Sequence, residues 1–136
     1  MTTQEIKLVR NSWANVLLNR EEAGNIFYKT LFGLSPEIRD LFKSDLKTQN
    51  QKLMSSITLI VTKLNKLDNL QQEVHFLAKR HLNYQVKPAY FYAFGEAFIT
   101  MLATTFKKFN EWTPAMESAW MKVYQLISQA MIEELD

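Results

Sequence analysis

The chain has 136 residues, 47% hydrophobic and 22% charged, which is ample apolar material for one folded core. Its 16 Lys+Arg and 14 Asp+Glu leave a net charge of +2, too small an excess for a nucleic-acid surface. The absence of cysteine excludes disulfides and thiolate metal sites and fits a reducing compartment. The opening MTTQEIKLVRNSW has no apolar run of the signal-peptide kind, and no stretch approaches the ~20 apolar residues of a membrane span. The expectation is one domain over residues 1–136, cytoplasmic and monomeric, with no nucleic-acid or membrane partner.

Ile6, Val9, Trp13 and Val16 recur at spacings of three and four, predicting a first helix with Thr3 as its N-cap. A second is expected from about Glu21 to Phe32, with Ile26, Phe27 and Leu31 inward. "LSPEIRDLF" reads as a short third helix, capped by Ser35, with Pro36 in the first turn, where its missing N–H costs nothing. Asp45 to Thr48 reads as a polar connection. A helix from about Gln49 to Lys66 follows, with Gln49, Leu53, Ile57 and Val61 on one stripe. "LDNLQQ" breaks the pattern. The next helix carries Val74, Leu77, Ala78 and His81 and ends in "NYQVKP". Pro88 opens a long helix with Phe91, Phe94, Phe98, Leu102 and Phe106 on one side. After "NEWTP", Thr113 caps and Pro114 opens the last helix, whose inner face is Trp120, Val123, Tyr124, Ile127 and Met131.

Three glycines and three prolines are too few for the turns of an all-β fold. The fold class is therefore all-α, with seven helices, one of them very short. Helices of such unequal length do not suit a matched four-helix bundle and point to oblique packing around something.

The only two histidines are His75 and His81. Six residues apart on one helix, they point about 120° away from each other and cannot share a metal. His75 is expected at the surface beside Glu73. His81 lies four residues after Leu77 on the buried stripe, with Lys79 and Arg80 turned away. Spacing alone leaves two readings of it open: a hydrogen-bonded core histidine, or a single axial ligand. One imidazole can hold haem iron if a flat apolar slot surrounds it. Phe42, Leu53, Ile57, Leu77, Phe91 and Phe94 could line such a slot, although an ordinary core could use them too.

The stretches "IFYKTLFGLSPEIRDLF", "QNQKLMSSITLIVTKLNKLDNL", "LAKRHLNYQVKPAYFYAFGE" and "AWMKVYQLISQAM" carry a resemblance. In order and spacing the whole chain resembles a globin, close to the single-domain bacterial haemoglobins and the haem domain of flavohaemoglobins, and similar to neuroglobin. The resemblance implies a three-over-three helical sandwich enclosing haem b. His81 then matches the proximal ligand, and Phe42 the aromatic that clamps the haem. Lys52, Leu53, Ile57, Leu77, Val86, Phe91 and Phe94 complete the expected haem surround. Lys52 could reach a propionate or simply be solvated; Lys79 and Arg80 share that ambiguity.

On the distal side the resemblance places Tyr28, Gln49 and Leu53, the set found in many bacterial haemoglobins. A phenol O–H and an amide can both donate to dioxygen carrying partial negative charge. Gln is a poor iron ligand beside imidazole, so the sixth position should be open, unlike the bis-histidyl state of neuroglobin. Taken by themselves, Tyr28 could be a core tyrosine bonded to a backbone carbonyl and Gln49 a solvated residue at a helix start.

One departure stands out. In flavohaemoglobins a tyrosine ten residues after the proximal histidine, and a late glutamate, make the imidazole more anionic. Here those places hold Phe91 and Leu135, with Glu133 and Glu134 on other faces. His81 Nδ1 is expected to bond the Leu77 carbonyl instead. The leading function is reversible, high-affinity binding of dioxygen, with nitric oxide and carbon monoxide as further ligands. The alternatives are a nitric oxide dioxygenase served by an external reductase, and a haem-based gas sensor.

Overall fold

In a computed structural model of the chain, the described residues are 1–42, 45–66, 72, 74–79, 87, 89–107 and 111–135, without the side chains of 130 and 133–135. They form only helices, and no strand occurs among them.

Helix α1 spans Thr3–Leu18. Its N-cap is Thr2, not Thr3 as expected. The Thr2 hydroxyl accepts the Glu5 N–H at 3.1 Å, and the Glu5 carboxylate accepts the Thr2 N–H at 2.9 Å. This reciprocal box needs an acidic residue three positions on, which Thr2 has and Thr3 lacks. Helix α2 is Arg20–Leu34, separated from α1 by Asn19 alone. The short element Pro36–Leu41 is a 3-10 helix, and Ser35 makes no side-chain cap to it.

Helix α3, Leu46–Thr62, starts earlier than the apolar stripe indicates. Asp45 caps it, accepting the Thr48 N–H at 2.9 Å and the Thr48 hydroxyl at 3.1 Å. What reads as a polar connection is thus the first turn, whose polarity is capping chemistry. Residues 74–79 are helical (α4) and bury Val74, Leu77 and Ala78. Helix α5 is Tyr90–Lys107 and α6 is Pro114–Leu135. At the start of α6 the Thr113 hydroxyl accepts the Met116 N–H at 3.1 Å, as its position before Pro114 predicts.

The most extensive helix contact is α2 on α5; α1 rests on α6 and α3, and α5 on α6. The stripes meet as the periodicity dictates. Val9, Trp13 and Val16 of α1 are buried, as are Phe98, Leu102 and Phe106 of α5, and Trp120, Val123, Ile127 and Met131 of α6.

Two tryptophans fasten this core. The Trp120 indole donates to Ser12 Oγ at 2.9 Å, and Ser12 in turn donates to the Leu8 carbonyl at 2.7 Å. The Trp13 indole donates to Thr58 Oγ1 at 2.9 Å, which donates to the Met54 carbonyl at 2.7 Å. The two indole rings stand 5.9 Å apart. Arg10 then closes the far end of α3, its guanidinium donating to the carbonyls of Val61 at 3.3 Å and Thr62 at 3.0 Å. These are last-turn carbonyls that α3 itself leaves without partners.

Candidate functional site

The site is built from α2 outward. Tyr28 lies on the inner face of α2 and is 4% exposed. Three phenylalanines surround its ring: Phe27 at 4.9 Å, edge-on, Phe42 at 5.8 Å, also edge-on, and Phe32 at 5.9 Å. Edge-to-face pairs at these distances are favourable and hold the ring's orientation. Phe27 continues the aromatic wall to Phe94 of α5 at 5.0 Å, and Phe94 stacks on Tyr124 of α6 at 5.9 Å.

No described residue accepts a hydrogen bond from the Tyr28 hydroxyl. Burial pushes its pKa well above the ordinary phenol value. The group therefore stays protonated, a donor held in an apolar wall. Among the described residues the fully buried side-chain polar atom without a partner is Asn50 Oδ1, not the Tyr28 oxygen, so the phenol keeps a little open surface from which to donate. A core tyrosine bonded to the backbone carbonyl of a described residue would show that acceptor. Such a donor fits a small polar ligand on that side of a haem.

The opposing wall comes from α3. Leu53 and Ile57 pack against the core but are only partly buried, whereas Met54, Ile60 and Val61 on the same helix are buried. Gln49 is also partly buried, on the Leu53 stripe. It lies one turn inside α3, not at the helix start, and its N–H donates to the Asp45 carbonyl at 3.0 Å. Phe42 and Phe94 are partly buried too. Apolar side chains on the inner faces of three elements thus keep part of their surface uncovered by protein, as contact with a flat apolar group requires. Lys52 is exposed, in keeping with its solvated reading and within the α3 turn that carries Leu53.

On the other side, Leu77 of α4 is 8% exposed and Phe91 of α5 is 9% exposed. The Phe91 carbonyl accepts the hydroxyl of Tyr124. Burial raises the Tyr124 pKa, while the Gly95 backbone acts in the opposite direction. His81, Val86 and Arg80 lie outside the described residues, so the axial bond and the Nδ1 bond to Leu77 rest on the sequence. His75, expected at the surface, is partly buried, with its ring 6.0 Å from Phe76. Among the described residues no three His, Cys, Asp or Glu side chains gather as a metal site, and no helix is long and apolar enough to cross a membrane.

Sequence reasoning did not single out Phe32, Gly24, Asn50 or the Tyr124 hydroxyl bond. Phe32 was within reach, standing four residues after Tyr28 on one helix face. The others depend on how helices cross, which no local pattern encodes.

The globin family model matches residues 25–131 of the chain. Neuroglobin of Tetraodon nigroviridis is 26% identical over 145 aligned positions, covering 96% of this chain and 90% of that protein. Neuroglobin-2 of Oncorhynchus mykiss is likewise 26% identical, and neuroglobin of Dissostichus mawsoni 25%, with the same coverage.

Proposed function

The chain belongs to the globin family, and from that premise we propose that it holds haem b through His81 and binds dioxygen reversibly and with high affinity. Nitric oxide and carbon monoxide are further ligands of the same site. A haem supplies an iron centre that takes up diatomic gases reversibly and shifts electron density onto dioxygen.

The chain's own residues do the rest. Tyr28 donates a hydrogen bond from its phenol to the partial negative charge on dioxygen, and a protonated hydroxyl on a buried ring, accepted by no described residue, is the observation that carries this reading. A hydrogen bond to a charged group contributes about 1.5–3 kcal/mol, equivalent to roughly a tenfold to hundredfold change in dissociation. Gln49 adds a second donor or orients the phenol, and Leu53 excludes water without donating. Phe42, Ile57, Leu77, Val86, Phe91 and Phe94 supply apolar contact for the ring, and Lys52 a cation for a propionate. Phe91 has no hydroxyl to strengthen His81 as a donor, which favours binding over a nitric oxide-consuming turnover; the latter would also require an external reductase.

Tyr28→Phe tests the reading. Stopped-flow should show dioxygen release faster by about tenfold or more, with carbon monoxide, which carries little charge on its oxygen, far less affected. Equal effects on both gases, or none on dioxygen, would make Tyr28 a core residue and remove the high-affinity reading. The ligand assignment has its own measure. His81→Ala should lose haem on gel filtration, while His75→Ala keeps it; equal retention would reassign the axial ligand.

A further inference from the structure

Two glycines act as seats for polar side chains from crossing helices, and the two contacts are built alike. Over Gly95 of α5 lies the ring of Tyr124, whose hydroxyl donates to the carbonyl of Phe91, one turn earlier. Over Gly24 of α2 lies the amide of Asn50 from α3, whose Nδ2 donates to the carbonyl of Arg20, again one turn earlier, at 3.1 Å. The second approach is the closer. A Cβ on Gly24 would stand 2.3 Å from Asn50 Oδ1 and 2.4 Å from both Cγ and Nδ2. The whole amide therefore lies flat on the α2 backbone, where only glycine leaves room.

Asn50 Oδ1 is buried and has no hydrogen-bond partner. A buried acceptor without a donor costs stability, so an alanine at this position would pack more cheaply. The amide's return is positional. Tyr28 stands one turn along α2 from Gly24, on the same face, and Gln49 and Leu53 bracket Asn50 on α3. Both sides of the gap in which a gas would sit are thus carried by helices that this contact joins. Toward the opposite end, α3 is bonded to α1 at Thr58, Val61 and Thr62.

We propose that Gly24 and Asn50 are positioning residues: their contact sets the separation of Tyr28 from Gln49 and Leu53, and through it the hold on dioxygen. This rests on the distal reading given above.

The test combines Gly24→Ala, Asn50→Ala and the double variant, with Tyr28→Phe alongside. Two quantities are read: gas release from the haem-loaded protein and thermal unfolding of the apoprotein. The methyl of Gly24→Ala displaces the Asn50 amide from its seat, so dioxygen release should rise roughly threefold or more, carbon monoxide release less, and the apoprotein should melt lower. Adding Asn50→Ala removes the amide that the methyl meets, and both quantities should return toward wild type. Loss of stability in Gly24→Ala with dioxygen release unchanged would overturn the proposal, as would a double variant that recovers its melting temperature but not its release rate. Should Gly24→Ala fail to fold, Asn50→Ala alone decides. It should change dioxygen release by about twofold or more without a lower melting temperature, and an unchanged rate would overturn the proposal. A responsive Tyr28→Phe beside a silent Gly24→Ala would sink the spacing alone. A silent Tyr28→Phe beside a responsive Gly24→Ala would sink the reading of Tyr28 and leave the spacing standing.

Discussion

Trp120 and Tyr28 are both buried aromatics carrying one polar atom, and the molecule treats them in opposite ways. Trp120 is 1% exposed and its indole N–H enters a closed relay through Ser12 to the Leu8 carbonyl. Tyr28 is 4% exposed, its ring is set among three phenylalanine rings, and no described residue accepts its hydroxyl. Where α1 crosses α6 and α3, each indole donor ends on a backbone carbonyl through one hydroxyl. Where α2 faces the inner side of α3, the donor is left over. The difference teaches how to read a buried polar atom. A donor that ends on a backbone carbonyl maintains the fold, and a donor on a buried ring that no described residue accepts is available to something besides protein.

The comparison can be broken most forcefully at Trp120. Trp120→Ala should lower stability by about 3–5 kcal/mol in denaturant unfolding, chiefly through lost packing, since Ser12 keeps its bond to the Leu8 carbonyl. Tyr28→Phe should move the same measurement by less than about 0.5 kcal/mol, since it removes a hydroxyl that is not fully buried and bonds no described residue. A loss above about 1 kcal/mol in Tyr28→Phe would reveal a structural acceptor and erase the contrast.

A finer version uses the second tryptophan. Thr58→Val keeps the side-chain shape but leaves the Trp13 N–H without an acceptor. It should cost about 1–3 kcal/mol, and adding Trp13→Phe should recover part of that. No recovery would mean that Thr58 acts through its own bond to the Met54 carbonyl, and not as a partner of the indole.

The smallest effect belongs to the exposed clamp between the same two helices that the Trp120 relay joins. The Lys122 ammonium first, and the Thr2 backbone N–H second, hold the Glu5 carboxyl down at about 2. A lowered folded pKa means that its contribution is complete above the ordinary value of 4.5 and is lost as pH falls through about 2. Melting temperature should therefore fall more steeply over that acid range in wild type than in Glu5→Gln. Added salt should shrink the gap, because the pair is open to solvent. Identical pH profiles would show that the clamp contributes nothing.

Much of the fold was legible because helical periodicity is a direct image of burial. The stripes through Val9–Trp13–Val16 and Trp120–Val123–Ile127–Met131 are inward where the spacing puts them. Helix ends were less so. Thr2 and Thr3 are chemically alike, and only the partner at Glu5 chooses between them; Asp45 looked like loop because a cap is polar by nature. For the site, spacing placed Leu53, Ile57 and Phe94 inward, but inward does not say against what, and their incomplete burial is a property of the packed molecule. Tyr28 needed its surroundings to be distinguished from a core tyrosine. The seat of Asn50 on Gly24 joins residues far apart in the chain at one helix crossing, and no window along the sequence contains both. The expected axial role of His81 and the place of Val86 still rest on the sequence, outside the described residues.

The tie between α1 and α6 also has a history within each molecule's making. Ser12 and Trp120 are 108 residues apart in the chain, and Glu5 and Lys122 are 117 apart. At a synthesis rate of about 5–20 residues per second, α1 waits roughly 5–20 s before its partner helix exists. Throughout that interval Val9, Trp13 and Val16, all buried in the finished fold, have no α6 to lie against. Until α6 is made, the side of α1 that α3 does not cover stays open to capture by a chaperone or by another unfinished copy.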